Sequence, residues 1–185
     1  MKQESNVMYV LRLSLTLLII ASVVAAALAG VNAFTSPMIS ALKEAKTQQA
    51  IEAVLPGGGQ EIQFTDDTGL VKKVYASDAG YAIQVAPMGF GGTIDMMVGV
   101  DQEGCVIGIS IISHTETASL GSVAAENTSK GEAFRGQFAG MSGVLSVDKD
   151  GGEVDSISSA TITSRAITTG VNAALKCAEN LVKEG

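Results

Sequence analysis

Near its C-terminus the chain reads Asp155-Ser156-Ile157-Ser158-Ser159-Ala160-Thr161-Ile162-Thr163-Ser164, and seven of these ten residues carry a short hydroxyl or carboxylate side chain. Apolar residues at helical spacing follow at once, namely Ile167, Val171, Ala174, Ala178 and Leu181. This period predicts an amphipathic helix. The start of a helix offers unpaired backbone N–H groups and the positive end of the dipole. Two interpretations fit the residues: a capped helix behind a polar loop, or a hydroxyl-rich anion site over Ser158–Ser164 that suits a phosphate.

The same stretch resembles a known modification motif. Asp155-x-x-Ser158-Ser159-Ala160-Thr161 is similar to the flavinylation motif Asp-x-x-(Ser/Thr)-Gly-Ala-Thr of the FMN-binding domain family. The resemblance implies that a separate flavin transferase esterifies the Thr161 hydroxyl with the phosphate of FMN, and that Asp155, Ser158, Ser159, Ala160 and Thr163 belong to the cofactor site. The family usually has Gly where this chain has Ser159, which suggests a positive φ or a close backbone approach at that position.

The N-terminal part predicts a membrane anchor. Leu13–Val31 is a run of nineteen residues without a charge, and Lys2 and Arg12 precede it. At about 1.5 Å per residue such a helix roughly matches the ~30 Å hydrocarbon core. The positive-inside rule then puts residues 1–12 in the cytoplasm, a transmembrane helix at 13–33, and the rest of the chain outside the cell membrane.

A cleaved signal peptide is the alternative for this segment. Ala27-Leu28-Ala29 and Val31-Asn32-Ala33 both have the small-x-small form of a cleavage site. The apolar run is longer than the usual signal-peptide core of about 7–15 residues, which favours a retained anchor.

The remaining sequence predicts a juxtamembrane helix and an α+β domain. Ser36-Pro37 has the form of an N-cap and first helical residue, so we expect a second helix over 34–58 that ends at Pro56-Gly57. Residues 59–185 would form an antiparallel sheet with flanking helices. The strands are expected at Glu61–Thr65, Leu70–Ala76, Tyr81–Ala86, Thr93–Val100, Cys105–Ser113 and a short Val144–Val147. We interpret Gly89–Gly92 as a structural turn.

A second motif contains the only histidine of the chain. From the residues alone, His114 is a loop residue at the end of a strand, and the ligand set for a metal is incomplete. His114–Gly121 resembles the family's His-x-Glu-Thr-Pro-Gly-Leu-Gly segment, with Ala118 and Ser119 in place of Pro and Gly. The resemblance implies a flavin pocket that includes His114, Glu116, Thr117, Leu120 and Gly121. Phe134–Phe138 resembles the family's Phe-x-x-Gln-Phe region, for which we expect a packing role.

The order of these segments resembles the G subunits of Rnf electron transport complexes, a group related to the C subunit of the sodium-translocating NADH:quinone reductase. That resemblance implies a covalent FMN, other membrane subunits as partners, and electron flow between ferredoxin and NAD coupled to H⁺ or Na⁺ export. A membrane-anchored flavin sensor and a non-redox extracytoplasmic binding module are the alternatives.

Several function classes lack support in the sequence. Cys105 and Cys177 have no partner at the spacing of an iron–sulfur or zinc site. Beyond residue 35 there are 10 Lys and Arg against 18 Asp and Glu, a net charge of −8, which argues against nucleic-acid binding. With one histidine and no Rossmann fingerprint, we expect no catalytic residues and no turnover from the isolated chain.

Overall fold

The computed structural model describes residues 6–184, and the chain divides into two compact units after Glu44. Helix α1 runs over Asn6–Val54, so it makes up the described part of the first unit and ends within the second. Among the described residues, α1 is the one helix long and apolar enough to cross a membrane. Lys2, on which the predicted orientation partly depends, lies outside the described residues.

The expected second helix does not begin at Ser36. Pro37 lies inside α1, which continues without a break to Val54. A proline fits the φ of a helix and removes one backbone hydrogen bond, so strongly helical sequence on both sides can keep the helix continuous. The helix ends at Val54, with Leu55 between it and the predicted Pro56-Gly57 stop, where Gly57 has a φ of 93°.

The C-terminal unit confirms the α+β class. Five strands form one antiparallel sheet in the order β1-β2-β3-β4-β5. The strands are β1 Gln60–Ile62, β2 Val71–Ser77, β3 Gly80–Val85, β4 Asp95–Val100 and β5 Val106–Ser113. The helices of this unit are α2, Ser129–Gly136, and α3, Thr161–Glu184. Short 3₁₀ turns occupy Gly121–Ala125 and Asp148–Asp150.

The predicted strand at Val144–Val147 is wrong. Only Val147 makes a bridge, to Val154, and Val144 is 92% exposed. The side-chain amide of Asn172 in α3 bonds to the backbone of Leu145 instead. Its Oδ1 accepts from the Leu145 N–H and its Nδ2 donates to the Leu145 carbonyl, both with an N···O distance of 2.8 Å. A side-chain amide therefore replaces the strand partner here.

The sheet has apolar residues on both faces. One face packs against α3, where Ile167, Val171 and Ala174 are fully buried as the helical period predicts. On the other face, Met97 and Ala82 lie in a second cluster with Ile51, Val54 and Leu55, the end of α1. These contacts lie within residues 45–185 and make the end of α1 part of the domain.

Helix α2 contacts β5 and carries a buried aromatic pair. The rings of Phe134 and Phe138 meet edge to face at 5.6 Å, which confirms the packing role of this segment. Arg135 ties α2 to the preceding turn, because its Nη1 donates to the carbonyls of Ala124 at 2.6 Å and Glu126 at 3.0 Å. The first turn of α3, the β3–β4 turn and the loop after β5 surround the predicted site.

Candidate functional site

Helix α3 begins at Thr161, directly after a tight turn. The Ala160 N–H donates to the Ile157 carbonyl at 2.9 Å and closes the turn. The Ser164 hydroxyl accepts from the Ile157 N–H at 3.0 Å and donates to the Ala160 carbonyl at 3.1 Å, so the first helical turn fixes the residues before it. Thr161 is half-buried at the junction of turn and helix.

Two serines have left-handed backbone conformations. Ser159 has a φ of 65° and Ser119 a φ of 60°, and they are the only non-glycine residues with positive φ within residues 6–184. Each is the third residue of a turn, the first over Ile157–Ala160 and the second over Thr117–Leu120. Glycine is preferred at such positions because it has no Cβ. The backbone expected from the family's Gly is therefore retained with Ser in its place.

Glu116 is the carboxylate on which the separate segments converge. It is 9% exposed, its Oε1 accepts from the Gly91 N–H at 2.9 Å, and its Oε2 accepts the Thr163 hydroxyl. These bonds join residues 25 and 47 positions apart in the chain. The carboxylate thus connects the loop after β5, the β3–β4 turn and the first turn of α3.

Two glycines allow this close approach. A Cβ at Gly121 would lie 2.5 Å from both Glu116 Oε2 and Thr163 Oγ1. A Cβ at Gly89 would lie 2.8 Å from Ile94 Cδ1 and would also collide with Glu116. The Gly89–Gly92 turn is therefore structural, as predicted, but it also carries Phe90 into the site, which the sequence analysis missed.

A cavity of about 160 Å³, here called the first cavity, lies beside Glu116. Its lining consists of Phe90, Glu116, Thr117, Leu120, Gly121, Ser159, Ala160, Ile162 and Thr163. The structure therefore brings together most of the residues of the two predicted motifs. Four predicted residues do not line this cavity, namely His114, Asp155, Ser158 and Thr161. The His114 Nδ1 accepts from the Glu116 N–H at 3.2 Å. Thr161 lies in the chain between Ala160 and Ile162, which both line the cavity.

A second cavity, of about 400 Å³, lies on the other side of the motif. It is lined by Ser119, Val123, Lys130, Ala133, Phe134, Gln137, Asp155, Ser156, Ile157 and Ser158. The Gln137 amide holds the backbone of Asp155, since its Oε1 accepts from the Asp155 N–H at 2.7 Å and its Nε2 donates to the Asp155 carbonyl at 3.1 Å. Gln137 thus positions the start of the motif, a role that the packing interpretation of its segment missed.

Two carboxylates brace the loop that leads into the motif. Asp148 Oδ1 accepts from the Ser156 N–H at 3.1 Å, and hydrogen bonding from Ser156 and then Lys149 holds the pKa of Asp148 well below its usual value. Asp150 makes a two-bond ion pair with Arg165 of α3, at 2.7 and 2.6 Å, and this bonding lowers the pKa of Asp150. The two carboxylates therefore hold the motif at Ser156 and, through Arg165, just after its end.

Two other kinds of site were considered in the described part of the chain, a metal centre and a larger cavity. Within residues 6–184, no group of three or more His, Cys, Asp or Glu side chains is arranged to hold a metal ion. A larger cavity of about 790 Å³ lies along the C-terminal half of α3, and none of the predicted site residues lines it.

Comparison with known proteins defines the class of this site. Residues 89–176, which contain both predicted motifs, match the family described as FMN-binding domain. The chain is 34% identical over 158 residues to the G subunit of the proton-translocating ferredoxin:NAD(+) oxidoreductase complex of Clostridium ljungdahlii, with 80% of each chain covered. It is 29% identical to the G subunit of the Na(+)-translocating complex of Acetobacterium woodii, with 94% of each chain covered. The G subunit of an ion-translocating oxidoreductase complex of Methanosarcina acetivorans is 27% identical over 173 residues.

The protein is therefore of the FMN-binding domain class. More particularly, the chain belongs to the family of G subunits of ion-translocating ferredoxin:NAD(+) oxidoreductase complexes, the Rnf type that its motifs resemble.

Proposed function

We propose that this protein is a membrane-anchored electron-transfer subunit of an Rnf-type complex and carries FMN through a phosphoester to Thr161. The observation that carries the proposal is the position of Thr161, a half-buried hydroxyl residue that begins α3 between Ala160 and Ile162, both of which line the first cavity. The names of the relatives and the match to the FMN-binding domain support electron transfer.

The two hydroxyl residues that follow Thr161 in the first turns of α3 are poorer attachment points than Thr161. Thr163 is 2% exposed and its hydroxyl donates to Glu116. Ser164 is fully buried and its hydroxyl is bonded in both directions. Thr161 is more accessible than either and matches the last residue of the motif. Burial and hydrogen bonding thus disfavour Thr163 and Ser164, and the motif register selects Thr161 over the exposed Ser158 and Ser159.

The residues around Thr161 fit FMN. A phosphodiester keeps one negative charge, and the N-terminus of α3 offers it backbone N–H groups and the positive end of the helix dipole. The first cavity has apolar side chains from Phe90, Leu120 and Ile162, which suit the flat ring of a flavin. When bound, FMN supplies one- and two-electron transfer, while the chain's own residues hold and orient it.

Attachment needs a separate enzyme, because the hydroxyl of Thr161 has no adjacent general base among the contacts described above. In the proposed step the Thr161 oxygen bonds to the phosphorus that carries the flavin. The phosphoanhydride bond of a flavin dinucleotide donor breaks, and a nucleoside monophosphate leaves with the electron pair. The hydroxyl proton passes to a base of the flavin transferase.

Loss of Thr161 tests this proposal. We expect Thr161→Ala to abolish the covalent flavin, whereas Thr163→Ser, which keeps the Glu116 hydrogen bond, should retain it. Peptide mass mapping of the full chain measures both. In membranes, Thr161→Ala should also stop ferredoxin-dependent NAD reduction while the complex still assembles. An adduct on Thr163 or Ser164, or full activity of Thr161→Ala, would contradict the proposal.

A further inference from the structure

The larger cavity of about 790 Å³ runs along α3 as an open groove, here called the α3 groove. Residues 169–183 of α3 form one side of it, a length of about 21 Å at about 1.5 Å per residue. The loop at residues 142–144, the β4–β5 turn at 101–104 and the end of the β1–β2 loop complete its lining. The groove shares no residue with the first or the second cavity, so it is separate from the proposed flavin site.

Apolar side chains in the α3 groove are exposed to solvent. Val144 is 92% exposed and Val182 51%. The buried residues Ala173, Leu175 and Ala178 line the groove with them. Contiguous apolar groups on the surface of a folded domain commonly mark a place that a partner covers.

Hydrogen bonds on both sides of Val144 fix the backbone that presents it. Gly140, which precedes it in the same loop, donates its N–H to the Val106 carbonyl of β5 at 2.8 Å. Leu145, directly after it, is bonded in both directions to the amide of Asn172 in α3. The Val144 side chain is therefore exposed on a fixed loop, and its burial by a partner needs little further ordering of this chain.

The uncharged polar side chains of α3 in the groove are already bonded within the chain. The Thr169 hydroxyl donates to the Arg165 carbonyl at 2.9 Å, and the Asn172 amide is bonded to Leu145. A pocket for a small ligand usually has a few polar groups placed to orient that ligand. An apolar stretch of polypeptide therefore fits this groove better than a small polar molecule.

Both lysines of the α3 groove are paired with carboxylates. Lys176 Nζ lies 3.6 Å from Asp67 Oδ2, and Lys183 Nζ lies 2.6 Å from Glu179 Oε1. Neither lysine therefore leaves an unbalanced positive charge in the groove.

Two further carboxylates, those of Asp101 and Glu103, belong to residues of the β4–β5 turn that line the groove. Within residues 6–184, neither of them takes part in an ion pair. The groove is thus acidic, which disfavours an anionic lipid surface. It also disfavours a second copy of this chain, which has 10 Lys and Arg against 18 Asp and Glu beyond residue 35. Complementary charge favours a partner with Lys or Arg.

We propose that the α3 groove docks an apolar segment, flanked by Lys or Arg, of another subunit of the complex. This inference rests on the proposed function, because it takes the chain as one subunit among several. The relatives named above are G subunits of complexes, which supports a partner subunit as the occupant. Thr161 and the first cavity lie outside the groove, so this docking does not use the flavin site.

Three exposed residues, each changed to lysine, test the proposal. Val144→Lys and Glu103→Lys place a cation in the groove, and Asp78→Lys, in the β2–β3 turn, is the matched control outside it. Each full-length chain is expressed with the other subunits, and the complex is isolated in detergent through a tag on this chain. We expect each groove variant to lower the amount of co-purified subunits by about fivefold or more, and Asp78→Lys to retain the wild-type amount. The thermal unfolding of all three chains should match the wild type, since the changed side chains are exposed.

Photocrosslinking identifies the occupant of the groove. A photoreactive amino acid in place of Val144 in the purified complex should link to a peptide of another subunit that has Lys or Arg beside apolar residues. Wild-type retention of subunits by both groove variants, an equal loss in Asp78→Lys, or links only to lipid or to a second copy of this chain would overturn the inference. A wild-type chain that co-purifies with no other subunit would instead contradict the proposed function, and the docking proposal would fail with it.

Discussion

Ser119 and Ser159 have the same unusual backbone, and each stands where the related motif has glycine. A left-handed conformation costs a residue with a Cβ roughly 1–2 kcal/mol, whereas glycine adopts it freely. Both turns border the proposed flavin site, since Ser119 lines the second cavity and Ser159 the first. The two positions thus keep the family's backbone at some cost in stability.

Replacing either serine by glycine should stabilise the domain. We expect Ser159→Gly and Ser119→Gly each to raise the free energy of unfolding by about 0.5 kcal/mol, because relief of the left-handed strain exceeds the greater chain entropy of glycine. Denaturant unfolding of the full chain measures this. Ser158→Gly is the matched control, since Ser158 has no positive φ, and it should destabilise. Similar destabilisation in all three variants would contradict the strain argument.

At the level of residues, the sequence predicted the features that depend on local pattern and on the register of the two motifs. The amphipathic helix after the motif, the glycine-like backbone of Ser159 and the proximity of Glu116 to the motif all agree with the structure. Phe90 and Gln137 were missed because their roles come from contacts between distant segments. Gly91 bonds to a residue 25 positions away and Gln137 to one 18 positions away, and no local pattern reports such pairings.

Among the elements, the end of α1 packs on the sheet through a glycine. A Cβ at Gly99 in β4 would collide with the Val54 carbonyl and lie 2.9 Å from Val54 Cβ. Gly108, its direct partner in β5, has open space where a Cβ would stand. Contact with Val54 therefore requires a glycine at position 99, whereas no such contact requires one at position 108.

Alanine substitution tests whether contact with α1 requires glycine at position 99. We expect Gly99→Ala to destabilise the domain by about 1–3 kcal/mol, the usual cost of overpacking. Gly108→Ala should be neutral or slightly stabilising, because alanine lowers the entropy of the unfolded chain. Thermal unfolding of both variants provides the measurement. Equal effects would show that the end of α1 does not press on β4.

The loop before the motif should be sensitive to acid. The pKa values of Asp148 and Asp150 lie below the ordinary 3.8 in the folded chain. Such lowered carboxylates contribute stability that is complete above 3.8 and is lost as the pH falls through the folded pKa. The unfolding temperature should therefore fall on acidification below about pH 4, and Asp148→Asn should weaken that dependence.

The element predictions failed where one residue was given too much weight. Ser36-Pro37 suggested a helix start, but the long helical sequence on both sides keeps α1 continuous. Val144–Val147 has the composition of a strand, but Asn172, 27 residues from Leu145, satisfies the backbone instead. Composition predicts the preference of a segment and cannot show which distant partner will satisfy it.

For the whole molecule, we expect α1 to anchor the protein in the membrane with residues 45–185 on the outer face. The uncharged Leu13–Val31 run within a helix of suitable length supports this arrangement. Protease added to intact cells should digest the domain and leave an N-terminal tag protected. The full chain should also stay in the membrane fraction after an alkaline wash, whereas a chain lacking residues 1–44 should be released.

Two results would contradict that topology. A mature chain that begins near Gly30 or Phe34 would show cleavage of a signal peptide. Protection of the domain in intact cells, with digestion only after permeabilisation, would place it in the cytoplasm.

The position of Thr161 on α3 has a consequence for motion. Six residues further along the same helix, Ile167 is fully buried against the sheet, and Val171 follows it into the core. Segments this deep exchange their amide hydrogens only through large-scale opening of the domain, whereas loops open locally at little cost. A redox group joined to the first residue of such a helix has its attachment point fixed as long as the fold persists. The gap that an electron must cross is then set by the rigidity of the fold and varies little with the fluctuations of a surface loop.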